Sequence, residues 1–137
     1  MTKTMMAILI SLVLAGCEKP KPPEPTVEQK LNAFVASTVT GSGGKLTGAT
    51  LATQTLSTPI VSYVAKITTH SPEYMLRPTG GDDAVRDANL VITRAWQEQF
   101  CTSQLKALLQ ETKVDTFSVQ LVDGTGLGHS VAVCMKT

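Results

Sequence analysis

This 137-residue chain has few aromatic side chains and almost no net charge. Aromatic residues make up 4% of it, with one Trp, so there is little stacking surface for carbohydrate or single-stranded nucleic acid. The 12 Lys and Arg nearly balance the 11 Asp and Glu, and a net charge of +1 does not attract nucleic acid or an acidic partner. The 2 His and 3 Cys are few for a zinc site. We therefore expect no metal, no non-covalent cofactor and no nucleic-acid partner.

The first 17 residues carry an export pattern. Lys3 precedes a mostly apolar run over residues 5–15, which is the layout of a secretory signal. The run is shorter than the ~20 apolar residues that a membrane-spanning helix needs. It ends in Leu14-Ala15-Gly16-Cys17, which resembles the lipobox of bacterial lipoproteins, where small residues give a protease access and the Cys thiol accepts a diacylglycerol. The alternative is a buried N-terminal helix with an incidental Cys.

The lipobox resemblance implies how the chain is organised. Residues 1–16 would be a signal peptide, and Cys17 would carry a covalent lipid that anchors the protein to a membrane. Glu18 stands where an Asp would favour the inner membrane, which implies the outer membrane, with the domain in the periplasm or at the cell surface. Residues 17–25 are rich in proline and predict an extended tether. Residues 26–137 would form one domain.

The domain begins with a predicted helix. Thr26 and Gln29 have the spacing of a capping box, and the apolar residues that follow recur at helical intervals. We expect the helix to end by Thr38. The glycine-rich stretch 41–44 predicts a flexible break.

The next two segments differ in their strand signal. Residues 45–58 are rich in Thr with scattered Leu, which predicts a loop containing one weak strand near residues 50–56. Residues 60–69 are rich in β-branched side chains and predict a strand. Because apolar residues occur on both faces of this strand, we expect it inside the sheet and covered at least partly on both sides.

The last third of the chain predicts helix, helix and β-hairpin. Asp82 and Asp83 would open a long helix, where the helix dipole favours carboxylates. Its apolar residues recur at intervals of three and four, at Val85, Ala88, Val91, Ile92, Ala95 and Trp96. Thr102 would cap a shorter second helix. Two strands near residues 114–122 and 127–134 would form the hairpin around the turn 123–126. The fold class is therefore α+β, a small antiparallel sheet of about 3–5 strands packed by two or three helices.

The final strand presents a conflict. Simple alternation places His129, Val131 and Val133 on one face and Ala132 and Cys134 on the other. If the helices cover the face of Cys134, the two valines need a second covering layer. The N-terminal helix could supply it.

The cysteines predict a disulfide. With Cys17 lipidated, Cys101 and Cys134 remain as a pair in an oxidising compartment. Such a bond would attach the helical region to the last strand. The competing interpretation, a reactive thiol, requires one of the two to be unpaired.

Most candidate chemical motifs have a structural interpretation. The glycines of residues 41–46 and 124–128 fail the spacing or context of a nucleotide-binding loop, which favours a linker and a hairpin turn. His129 could pair with Asp123 or with Ser130, but no motif presents a nucleophile. Asp82 and Asp83 are better explained as helix capping, and Trp96 as part of the core. We expect no enzymatic activity.

The segment 70–78 is the candidate partner site. It places Tyr74, Met75, Leu76 and Arg77 in a loop that contains Pro72 and ends at Pro78. Tyr, Met and Arg are enriched in recognition surfaces, so these four residues would bind a protein partner if exposed. The alternative is a loop that folds its Tyr and Leu over the end of the sheet.

Two families are similar in organisation. The order of lipobox, tether, helix, strand, long helix with Cys101 and hairpin ending at Cys134 resembles α/β-type pilotins, outer-membrane lipoproteins that escort a secretin subunit in type II secretion. Residues 1–25 also resemble exclusion lipoproteins of conjugative plasmids, which block redundant DNA transfer. The first resemblance implies a non-enzymatic assembly factor with an envelope protein as partner. The second implies an inhibitor of an incoming transfer apparatus.

Overall fold

The computed structural model describes residues 20–78 and 81–137. The predicted signal peptide, the lipobox Leu14-Ala15-Gly16-Cys17 and its lipidation site lie outside the described residues. The described part contains three α-helices and four β-strands. In chain order they are α1 (Val27–Val39), β1 (Gly44–Gln54), β2 (Ile60–Thr69), α2 (Asp83–Phe100), α3 (Ser103–Thr112), β3 (Thr116–Val122) and β4 (Gly128–Met135).

The strands form one mixed sheet in the order β1-β2-β3-β4. β1 with β2 and β3 with β4 pair antiparallel as hairpins, whereas β2 and β3 are parallel. Parallel neighbours need a long crossover connection, and α2 with α3 provides it. The predicted α+β class with a C-terminal hairpin is confirmed, and the parallel pairing makes the sheet mixed where an antiparallel one was expected.

Side-chain caps begin each helix at the expected residues. The Thr26 hydroxyl accepts a hydrogen bond from the Gln29 amide at 3.2 Å, and the Gln29 side chain accepts one from the Thr26 amide at 2.8 Å. This confirms the capping box. Asp82 caps α2 through the Ala84 amide, as the helix-capping interpretation predicted. Thr102 caps α3 in the same way.

The core lies between the sheet and all three helices. Phe117 on β3 is its centre, with ring centroids 5.4 Å from Tyr63, 6.0 Å from Phe34 and 5.9 Å from Phe100. These rings come from β2, α1 and α2, so one aromatic cluster joins the three elements to β3. Trp96 is fully buried beside Phe100, which confirms its assignment to the core.

The expectation of a second covering layer is wrong. α1 packs on the same face as α2, and no helix of the described residues covers the opposite face. A β-bulge between β3 and β4 removes the conflict, because the extra residue lets Val131 and Ala132 both enter the core. Val133 remains 45% exposed on the uncovered face. β2 is interior to the sheet, as predicted, but it is buried from one side only.

Two further local predictions need correction. The strand predicted near residues 50–56 is the end of β1, which begins at Gly44, and its Thr-rich residues are strand because β2 pairs with them along their length. In α2, Val91 is 69% exposed and Ala95 is exposed, because these two residues, four apart, lie on a side of the helix away from the buried Trp96 and Phe100. Among the described helices, none has both the length and the apolar character required to cross a bilayer.

The predicted disulfide between Cys101 and Cys134 is confirmed. Cys101 follows the last turn of α2, Cys134 lies in β4, and their Cα atoms are 5.5 Å apart. The bond spans a sequence separation of 33 residues. On the chain-entropy argument, closing such a loop stabilises the fold by about 3–4 kcal/mol. It fixes the end of α2 against the edge of the sheet.

Candidate functional site

A groove lies beside the β3–β4 hairpin, and we call it the hairpin groove. It runs between segment 75–78, the first half of α2 and the start of β4, and its volume is about 680 Å³. This lies within the range of protein ligand sites, about 300–1,000 Å³. Apolar and polar side chains both line it, namely Met75, Leu76, Pro78, Leu121, Val122, Thr69, Arg77, Asn89, Asp123, Thr125, His129 and Ser130.

Segment 75–78 is held firmly by α2. The Asn89 side chain accepts a hydrogen bond from the Arg77 amide at 2.8 Å and donates one to the Arg77 carbonyl at 2.9 Å. About two turns further along α2, the Trp96 ring nitrogen donates to the Tyr74 carbonyl at 3.1 Å. The Tyr74 and Trp96 rings also pack at a centroid distance of 5.2 Å. The loop therefore forms a fixed wall of the groove.

The four predicted partner-binding residues divide into two pairs. Tyr74 and Leu76 are half-buried and pack against the core, as the alternative interpretation of this loop expected. Met75 is 44% exposed and Arg77 is exposed. The division arises because the backbone is extended at Met75, and neighbouring side chains of an extended segment point to opposite sides. Within residues 20–78 and 81–137, the Arg77 guanidinium forms no ion pair.

Asp123 organises the turn on the other side of the groove. Its Oδ1 accepts hydrogen bonds from the Thr125 amide at 2.9 Å, the Thr125 hydroxyl at 2.6 Å and the Leu127 amide at 3.1 Å. Its Oδ2 lies 2.9 Å from Nε2 of His129. The hydrogen bond from the Thr125 hydroxyl, followed by that from His129, holds the pKa of Asp123 well below its usual range. The carboxylate is therefore a structural support of the hairpin.

The structure brings together one of the two predicted His129 pairs. His129 contacts Asp123, and among the described hydrogen bonds none joins His129 to Ser130. The Thr125 hydroxyl is bound to the same carboxylate as His129, and among the hydrogen bonds of residues 20–78 and 81–137 none joins a hydroxyl to the imidazole. The 124–128 stretch comprises the turn between β3 and β4 and Gly128, the first residue of β4, as its hairpin interpretation predicted.

A second groove lies between α1 and α3, near Pro25 where the tether joins the domain. Its volume is about 620 Å³, and Phe34 and Leu108 are among its apolar residues. Lys30 on α1 donates to Glu111 on α3 at 2.7 Å across it. This hydrogen bond raises the pKa of Lys30. Lys30 and Glu111 are the charged residues that line the second groove, and they therefore pair with each other.

Sequence reasoning missed two amides on α2 that position the site. Asn89 holds the Arg77 backbone, and Gln97 makes the same pair of bonds to the Val133 backbone. The two residues are eight apart, which places them about two turns apart on one side of a helix. The sequence signal that could have identified them is the position of Asn89 and Gln97 beside the apolar residues of α2 that face the core.

Comparisons with known proteins add no relative. No protein-family profile matches the chain, and neither a curated protein nor a solved structure is significantly similar to it. The resemblances to pilotins and to exclusion lipoproteins thus rest on the lipobox, the order of elements and the two paired cysteines.

Proposed function

We propose that this chain is an outer-membrane lipoprotein, anchored through Cys17, that serves as a non-enzymatic assembly or accessory factor of a secretion or transfer apparatus. It binds an extended segment of its envelope partner in the hairpin groove. Three features support the proposal: the lipobox sequence, the proline-rich tether and a disulfide suited to an oxidising compartment. The observation that carries the binding role is the fixed groove with Met75 and Arg77 presented at its wall.

The position of the groove relative to the tether favours a partner away from the membrane. The tether leads into α1, and Lys30 in the first turns of α1 contacts Glu111 near the end of α3, just before β3 begins. The groove lies where β3 ends, at Leu121 and Val122. At about 3.3 Å per residue, the length of β3 separates the two by roughly 20 Å. A domain held by its tether would therefore present the groove to approaching proteins.

The chemistry of the groove indicates the kind of segment it binds. Arg77 offers a guanidinium without an ion pair among the described residues, and Met75 and Leu121 offer apolar contact. The carboxylate oxygens of Asp123 are already occupied by hydrogen bonds with Thr125 and His129. An extended peptide with an acidic side chain flanked by apolar ones matches this arrangement, because a guanidinium binds carboxylates through paired hydrogen bonds.

Capture of the partner from envelope extracts tests the proposal. Lipidated protein carrying Arg77→Glu should lose the partner, whereas Arg94→Glu, an exposed charge reversal elsewhere on α2, should retain it. Recovery of a secretin-type subunit supports an assembly role. Recovery of transfer-apparatus proteins, with a transfer defect confined to recipients, supports the exclusion role instead. Equal capture by both variants contradicts binding in the groove.

Membrane fractionation tests the anchor separately. Replacing Cys17 by Ser should release the protein from the outer membrane into the soluble fraction, because no acyl chain would then be attached. Mass spectrometry of the unsubstituted protein should find a lipid on Cys17 and no residues before it. An intact starting Met without added acyl mass contradicts the lipoprotein assignment.

A further inference from the structure

The two edges of the sheet are unequal. At the β4 edge, the Gln97 side chain donates to the Val133 carbonyl at 2.6 Å and accepts from the Val133 amide at 2.8 Å. Gln110 reaches the Lys136 carbonyl next to the same strand. At the β1 edge, no hydrogen bond of the described residues reaches the backbone of residues 48–53 from any element except β2. The sheet can therefore be extended at β1.

The second part of β1, residues 48–54, lacks the usual protection of a free edge. Folded proteins guard exposed edge strands with charged side chains, proline or a covering element. No charged residue occurs between Lys45 and Lys66, and β1 itself contains no proline. The last five residues of β1 are all exposed, so none of the three described helices covers them. Leu51 adds an apolar side chain that is 36% exposed although it pairs with the buried Tyr63.

We propose that β1 is a self-association edge, at which two copies of this chain pair antiparallel about a two-fold axis through Leu51. The bulge in β1 lies between Leu46 and Gly48, so the regular part of the strand is residues 48–54. Leu51 is the midpoint of these seven residues. The two-fold axis places Leu51 opposite Leu51 of the second copy and Ala49 opposite Thr53, so the exposed leucines cover each other.

The absence of charged residues from most of β1 favours a second copy of the chain as the partner at this edge. In a two-fold strand pair, a residue near the axis faces a residue of its own segment, and a charge there would meet a like charge. The uncharged stretch from residue 46 to 65 avoids this repulsion. Because Gln97 occupies both backbone groups of Val133, β1 of another copy cannot pair along the full length of β4, and this disfavours an open filament. The assembly therefore stops at two.

The association is expected to be weak in dilute solution. Stable interfaces bury about 1,200–2,000 Å², and one pair of seven-residue strands supplies less. Copies confined to one membrane surface meet at a high effective concentration, which would strengthen the pairing. A method that traps short-lived dimers is therefore suitable, and covalent capture by engineered cysteines meets this need.

Disulfide trapping in full-length Cys17→Ser protein tests both the dimer and its register. Paired residues in neighbouring strands have Cα atoms about 4.5–5.5 Å apart, within reach of a disulfide. Leu51→Cys should link to itself under mild oxidation, at least tenfold faster than Leu56→Cys on the nearby turn. Ala49→Cys and Thr53→Cys should not link to themselves, since each lies about 13 Å from its own copy at 3.3 Å per residue. A mixture of these two variants should link.

Sedimentation provides a second measurement. The Cys17→Ser protein should shift from monomer to dimer as its concentration rises, and Leu51→Lys should remain monomeric because two ammonium groups would meet at the axis. Leu56→Lys serves as the matched control and should dimerise normally.

Three results would overturn the proposal. They are equal trapping of Leu51→Cys and Leu56→Cys, self-linking of Ala49→Cys as fast as the mixture, and a Leu51→Cys protein that links in envelopes only to a different protein. The trapping experiment uses neither the groove nor the lipid, so Arg77→Glu should leave the trapping unchanged. Its failure is thus distinguishable from failure of the proposed function.

Discussion

Gln97 and Val133 are joined as two neighbouring strands would be. The Val133 amide donates to Oε1 of Gln97 at 2.8 Å, and Nε2 of Gln97 donates to the Val133 carbonyl at 2.6 Å. The Gln97 side chain of α2 thereby forms hydrogen bonds with both the amide and the carbonyl of Val133 on the outer edge of β4. The same Nε2 lies 3.2 Å from the sulfur of Cys101, so the disulfide and the amide reinforce one attachment of helix to strand.

Replacing Gln97 by Ala should lower the free energy of unfolding by about 1–2 kcal/mol, since two hydrogen bonds to a partly exposed backbone are lost. Urea denaturation monitored by Trp96 fluorescence measures the change. Glu98→Ala, at the exposed neighbouring position, is the control and should change stability by less than about 0.5 kcal/mol. An equal effect of the two substitutions would show that the amide pairing contributes nothing.

Removing the disulfide between Cys101 and Cys134 should lower the stability of the protein only under oxidising conditions, in which the bond forms. Cys101→Ser with Cys134→Ser should lower stability by about 3–4 kcal/mol relative to the oxidised protein, mainly because the unfolded chain regains its loop entropy. Parallel denaturation with and without reductant measures this difference. With reductant present, the unsubstituted protein should fall towards the variant. A variant that remains equally less stable under reducing conditions would contradict the loop-closure explanation.

Tyr63 should make stability fall at alkaline pH. Its hydroxyl donates to Asn32 at 2.6 Å, and burial raises the pKa of Tyr63 above its ordinary value of 10.0. The folded protein therefore holds this proton more tightly, so the stabilisation is complete below about pH 10 and is lost as the pH rises further. Tyr63→Phe should cost about 1 kcal/mol at neutral pH through the lost hydrogen bond. It should also flatten the alkaline decline in urea midpoint, and an unchanged decline would refute this cause.

Asp123 should make stability fall at acidic pH. Because hydrogen bonds lower the pKa of Asp123 in the folded protein, its contribution is present above the ordinary value of 3.8 and disappears as the pH falls below it. Asp123→Ala should speed amide hydrogen exchange at Thr125 and Leu127, whose amides donate to this carboxylate. Asp115→Ala, a carboxylate change at the opposite end of β3, should leave those two amides unaffected. Unchanged exchange in Asp123→Ala would contradict its role in the turn.

Local signals accounted for the helices and the hairpin. The Thr26–Gln29 capping box, the Asp82 cap and the Thr102 cap each depend on residues within three positions, so their geometry follows from local sequence. The extent of β1 does not follow from local sequence, because its Thr and Ala residues adopt a strand only through pairing with β2. The groove shares this limitation. Segment 75–78 lies where it does because Asn89, 12 residues after Arg77, binds its backbone.

What the sequence determined by itself is the α+β class, the starts of the helices, the C-terminal hairpin and the Cys101–Cys134 bond. These follow from short-range hydrogen bonding, periodicity and the number of cysteines available to pair. Tertiary structure alone decided that all three helices share one face and that Val131 and Ala132 both enter the core. It also left β1 open while Gln97 closed β4. Those outcomes depend on a bulge and on contacts between distant residues, which alternation along a single strand does not encode.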